Sequence, residues 1–143
     1  MKSIRLFSIA ILKSPIATLT NTDKYLQNAG TKVNNFIKPS ELMEYITKEL
    51  PDCVFICADY PIEQVQNTVY LITHVLKLPA FGFTKSISYS ALQLLEVLPF
   101  EETIKGDLTG PLIEKTIMNY FEMKSEENRQ KKPSAASDRK QIL

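Results

Sequence analysis

Five short apolar runs, separated by segments whose apolar residues recur every three or four positions, constrain this chain more than any motif in it. The runs are IRLFSIAIL (4–12), TKVNNFI (31–37), CVFICA (53–58), PAFGFT (79–84) and FEETIK (100–105). Two of them, 4–12 and 53–58, are apolar almost without interruption, as a strand covered on both faces must be. The intervening segments have helical spacing. Leu42, Ile46 and Leu50 fall on one face, and Ile62, Val65, Val69, Ile72 and Leu76 form a single 3-4-3-4 stripe. Gly30 follows the first such segment, 17–29, where a left-handed helix end is expected. Pro61 opens the third helix and Pro111 suits the first turn of the last one, GPLIEKTIMNYF. Strands alternating with helices predict an α/β three-layer sandwich, a parallel sheet with helices on both faces.

Composition sets the boundaries. With 143 residues, 44% of them hydrophobic, the chain holds one ordinary domain and a modest tail. The pattern predicts a domain over residues 1–122 and, over 123–143, either a flexible charged tail or a linker to a further domain. A net charge of +1 gives no bulk electrostatic case for nucleic acid or an anionic membrane. No run approaches the length of a membrane span. The amino-terminal MKSIRLFSIAILKSP reads as a first core strand and not as a leader, because its apolar run is short and ends in Lys13. Cys53 and Cys57 stand four apart on one strand, about 13 Å from each other, too far to bridge. Reduced thiols and a cytoplasmic location follow as expectations.

Ligands of a doubly wound sheet sit at the carboxyl ends of its strands, and there the spacing becomes informative. Pro51-Asp52 leads to Cys57, with Pro61 four residues beyond. PAFGFT ends at Thr84. Lys105 follows about twenty residues later, and Leu112 seven after that. In this order and with these gaps the chain resembles the receiver domain of two-component response regulators over residues 1 to about 122. The resemblance implies a flavodoxin-like sheet of order 2-1-3-4-5 and a phosphorylation pocket at Cys57, Asp59, Thr84 and Lys105. It also implies an interaction face, roughly 86–122, carrying Tyr89, Phe100, Met118 and Tyr120, with Met123 just beyond, that meets another protein or a second copy as a homodimer.

The chain departs from that family where chemistry is concerned. Cys57 occupies the place of the phospho-accepting aspartate. Residues 1–22 contain no Asp or Glu, so the acidic pair that would hold Mg²⁺ is missing, and Leu12 and Lys13 stand near its place. Gly106 replaces the proline after the lysine. The expectation is therefore a degenerate, pseudo-receiver module: not an enzyme, with no catalytic residue, no metal and no cofactor. Two alternatives stay open. Asp59 would serve as a displaced acceptor, or Cys57 as a reactive thiol sensing redox state or a small ligand; otherwise Cys57 is a small hydrophobe of a central strand. His74, the single histidine, reads as structural. No glycine-rich phosphate loop is present.

Overall fold

A computed structural model describes residues 7–13, 22–85, 88–106 and 108–141. The elements run β1 (Phe7–Leu12), α1 (Thr22–Asn28), β2 (Thr31–Phe36), α2 (Pro39–Glu49), β3 (Cys53–Cys57), α3 (Ile62–Tyr70), β4 (Ala80–Thr84), α4 (Tyr89–Val97), β5 (Glu102–Lys105) and α5 (Gly110–Gln141). The five strands form one sheet in the order β2-β1-β3-β4-β5, every pair parallel. This is the three-layer α/β arrangement that the alternation predicts. The parts of the predicted first strand and first helix at 4–6 and 17–21 lie outside the described residues.

Burial follows the sheet order. All five residues of β3 and of β4 are buried, as is β1 from Ile9 to Leu12. Polar residues collect on the two edge strands. In β5 only Ile104 is buried, and β2 carries Lys32, Asn34 and Asn35. Charged and polar edges discourage pairing with another chain. Phe55 of β3 and Phe81 of β4 are directly paired, their ring centroids 5.0 Å apart on one face. The opposite face narrows at Gly82, where a Cβ atom would lie 2.7 Å from Leu95 and from the Phe100 ring. Gly82 thus sets how closely α4 approaches β4.

Pro51-Asp52 has a structural task at the other end of β3. The Asp52 carboxylate accepts from the Ser8 amide at 2.7 Å, and the Asp52 amide donates to the Ser8 carbonyl at 2.7 Å. The two bonds pin the start of β3 to β1.

Three helix details differ from a plain periodic reading. The stripe of α3 continues beyond Tyr70 as a π turn, Leu71–Val75, in which Thr73 donates to the Val69 carbonyl and the Tyr70 and His74 rings stand 5.0 Å apart. The helix α2 ends on Leu50, whose φ of 46° is a left-handed conformation that a side chain disfavours. The last helix runs through the segment for which the sequence predicts a tail. Residues 122–132, EMKSEENRQKK, lack an apolar stripe but are rich in intrinsically helix-favouring residues, and Glu127 and Lys131 stand at i, i+4. Local propensity, to which a search for amphipathic periodicity is blind, favours helix there. The chain divides into two compact units, Met1–Gly110 and Pro111–Leu143. Within α5, Thr116 donates to the Leu112 carbonyl, Tyr120 meets Phe121 edge-on, and the Lys124 ammonium lies 5.8 Å from the Tyr120 ring.

Candidate functional site

Order 2-1-3-4-5 reverses direction between β1 and β3, so the crevice at their carboxyl ends is where a fold of this type binds ligands. Three of the four residues predicted for the pocket end their strands along this edge. Cys57 closes β3 and is paired with Phe83; Thr84 closes β4 and is paired with Lys105, which closes β5. The Ala58 amide donates to the Phe83 carbonyl and the Gly106 amide to the Thr84 carbonyl, both at 2.8 Å, carrying the ladder one step past the strand ends.

Cys57 does not share a face with Thr84. Strand alternation puts Cys57 on the face of Phe83 and Thr84 on the opposite face. Cys57 is 2% exposed. The contact that forms is between Thr84 and Asp59: the buried Thr84 hydroxyl donates to Asp59 Oδ1 at 3.0 Å, while the Asp59 carboxylate stays exposed. Lys105 is exposed on the edge strand. Gly106 takes φ 130°, which proline cannot adopt. Among the described residues no group of three His, Cys, Asp or Glu is placed to hold a metal ion.

The residue that sequence reasoning passed over is Tyr60. It lies three positions beyond Cys57, is 8% exposed, and donates its hydroxyl to the carbonyls of both Lys13 and Ile37, each at 2.6 Å. One proton shared between two acceptors is a three-centre bond. It ties the end of β3 to the end of β1 and to the turn after β2, across the crevice where the strand order reverses. Burial, and then the neighbouring Cys57, push the Tyr60 hydroxyl up to about 12. At neutral pH it is therefore a donor and carries no charge. No motif announces it, because both its partners are backbone carbonyls whose positions depend on the assembled sheet. Cys53, at the other end of β3, is wholly buried; burial, and secondarily Asp52, push its thiol well up, which makes it unreactive.

The residues predicted for an interaction face are divided between the two units. Tyr89 is 78% exposed and Met118 62%, whereas Phe100 and Tyr120 are half-buried. The Phe100 ring lies beside Gly82.

The arrangement of strands and crossovers has counterparts among solved structures. The fold is that of the response-regulator receiver domain. The signal receiver domain of a modulated diguanylate cyclase from Desulfovibrio desulfuricans aligns with a TM-score of 0.69 at 15% identity, over 86% of this chain and 99% of that one. A CheY-like receiver domain protein from Methanospirillum hungatei gives 0.69 at 16% identity, over 86% and 99%. The chemotaxis response regulator CheY4 of Vibrio cholerae gives 0.64 at 14% identity, over 80% and 98%. Identities this low speak for the receiver fold alone. No protein-family model and no curated protein matches the chain. Among the described residues no helix of this receiver fold is long and apolar enough to cross a membrane.

Proposed function

We propose that this chain is a non-catalytic signalling module, a pseudo-receiver that acts by contacting another protein or a second copy and is not switched by aspartyl phosphorylation. The single observation that carries the reading is Tyr60. Its hydroxyl, bonded to the Lys13 and Ile37 carbonyls at 2.6 Å, spans the crevice that a metal and a phosphoryl group would need. The absence of any Asp or Glu from residues 1–22, and a buried thiol at position 57, support the same conclusion. A thiol is a poor partner for magnesium, which prefers hard oxygen ligands. Residues 86–122, with Tyr89, Phe100, Met118 and Tyr120, supply the protein contact. Cys53 and Cys57, both buried and in no disulfide, fit a cytoplasmic setting.

A second reading has one observation in its favour. The Thr84–Asp59 hydrogen bond at 3.0 Å brings a carboxylate to the retained threonine, as a displaced acceptor would require. The third, a thiol sensor, asks for an accessible sulfur, and Cys57 is 2% exposed.

Titrating the full chain with Mg²⁺ and beryllofluoride, followed by amide NMR, separates the first two. The pseudo-receiver gives no saturable shift near Cys57, Thr84 and Lys105. Saturable shifts that vanish in Asp59→Asn would establish a working switch on a displaced aspartate.

A further inference from the structure

The helices α3 and α4 themselves contain no lysine or arginine. The chain has 17 Lys and Arg, yet none falls in residues 58–76 or 88–98. The same stretches hold Asp59, Glu63 and Glu96, all exposed. A groove of about 710 Å³ runs between the two helices. Its apolar wall includes Ile62, Ala91, Leu94 and Val97, and Asp59 and Glu63 line it as well. Val97 is 55% exposed. An acid-rimmed groove with an apolar wall repels phosphates and lipid headgroups and suits a segment that mixes cations with apolar carbon.

Such a segment exists in this chain. Residues 124–143 hold six Lys and Arg (Lys124, Arg129, Lys131, Lys132, Arg139, Lys140) against Glu126, Glu127 and Asp138. The helix α5 continues through them to Gln141. Lys132, Ala136 and Arg139 recur at spacings of four and three, the spacing of one helical stripe. We propose that the α3–α4 groove receives the basic segment 124–143 of a second copy, so that two copies exchange segments reciprocally. With nine residues, α4 is about 13 Å long and offers room for roughly two turns of such a helix. Reciprocal exchange uses each groove and each segment once and closes at two copies. Contacts of this kind are helix-in-groove recognition with ion pairs at the rim. Exposed ion pairs are individually weak, so the dimer is reversible and salt-sensitive. The proposal goes beyond the reading of the pocket and holds whether or not Asp59 accepts a phosphoryl group.

The test is sedimentation equilibrium of the full chain at low and high salt, paired with NMR titration of a synthetic peptide of residues 124–143 into the same chain. The expected result is a monomer–dimer equilibrium whose dissociation constant rises about tenfold at high salt. The peptide shifts amides of Ile62, Glu63, Ala91 and Leu94 and dissociates the dimer. Glu63→Lys weakens the dimer about tenfold, and adding Lys131→Glu with Lys132→Glu to that variant restores it, which a merely misfolded variant would not allow. A monomer at every concentration overturns the proposal, whether or not the groove binds the peptide. A monomer in which Lys131→Glu perturbs the groove amides indicates occupancy by the same chain, and likewise overturns the exchange. A dimer indifferent to Glu63→Lys places the contact elsewhere.

Discussion

Tyr60→Phe removes one oxygen and keeps the ring, and so isolates what the three-centre bond contributes. The wild-type hydroxyl satisfies the Lys13 and Ile37 carbonyls at 2.6 Å. Lys13 is half-buried and Ile37 is 48% exposed, so water can reach part of what the hydroxyl leaves. The loss should therefore fall near the middle of the range for a deleted hydrogen bond, about 1–2 kcal/mol at neutral pH. A second signature comes from ionisation. In the folded chain the hydroxyl titrates at about 12 against an ordinary value of 10.0, through burial first and Cys57 second. A raised folded value means a contribution that is fully present below pH 10 and lost as pH rises through about 12. The loss amounts to about 3 kcal/mol. The phenylalanine variant has nothing to lose there. The stability gap between the two proteins should hold steady up to about pH 10, then shrink, vanish before about pH 12 and reverse, because the loss on ionisation exceeds the gap at neutral pH. Urea unfolding followed by circular dichroism at a series of pH values reads this directly. Because the remaining lysines and tyrosines are common to both proteins, their titration cancels in the difference. Equal stability at neutral pH, or a gap unchanged up to the most alkaline point, would refute the argument that this hydroxyl is buried and bonded across the crevice.

Other substitutions test separate parts of the fold. Gly82→Ala places a Cβ 2.7 Å from Leu95 and Phe100, and should cost about 1–3 kcal/mol by overpacking, read as a lower urea midpoint. Ser88→Ala removes the side chain that accepts from the Ala91 amide at 3.2 Å at the start of α4, with an expected loss of about 1 kcal/mol. Leu50→Gly relieves a left-handed φ of 46° at a residue 56% exposed; the thermal midpoint should rise, by a stabilisation of about 1 kcal/mol. Cys53 is 0% exposed with its thiol pushed well up by burial, so a thiol reagent should modify it only as fast as the protein unfolds, and appreciable labelling in the native state would contradict that burial.

The sheet was legible because its information is local and repetitive. Runs such as CVFICA and PAFGFT have the length and the aromatic or β-branched content of buried strands, and the polar breaks in TKVNNFI mark an edge, where the structure puts it. The resemblance to receiver domains singled out Thr84 and Lys105, which the register pairs directly. The rest of the site was less accessible, for two physical reasons. Along β3, the choice of face at Cys57 depends on register with β4, and one residue of offset separates its side chain from that of Thr84. Tyr60 acts through backbone carbonyls distant in sequence, and a carbonyl has no residue type by which to recognise it. The extent of α5 escaped for a third reason: the segment after Phe121 has helical propensity but no apolar stripe, and periodicity sees only the stripe.

The Tyr60 bond also has a consequence for the order in which the chain assembles. Its acceptors lie 47 and 23 residues away along the sequence. Closing loops of that size costs entropy before any reward is collected, so contacts of this kind are expected late on the folding route. The hydroxyl then contributes little to the transition state and mainly holds the finished structure shut. Its removal should leave the refolding rate nearly unchanged and show almost entirely as faster unfolding. On that account Tyr60 is a latch on the lifetime of the native state, fastening the three carboxyl-end turns only once the strands beneath them are in place.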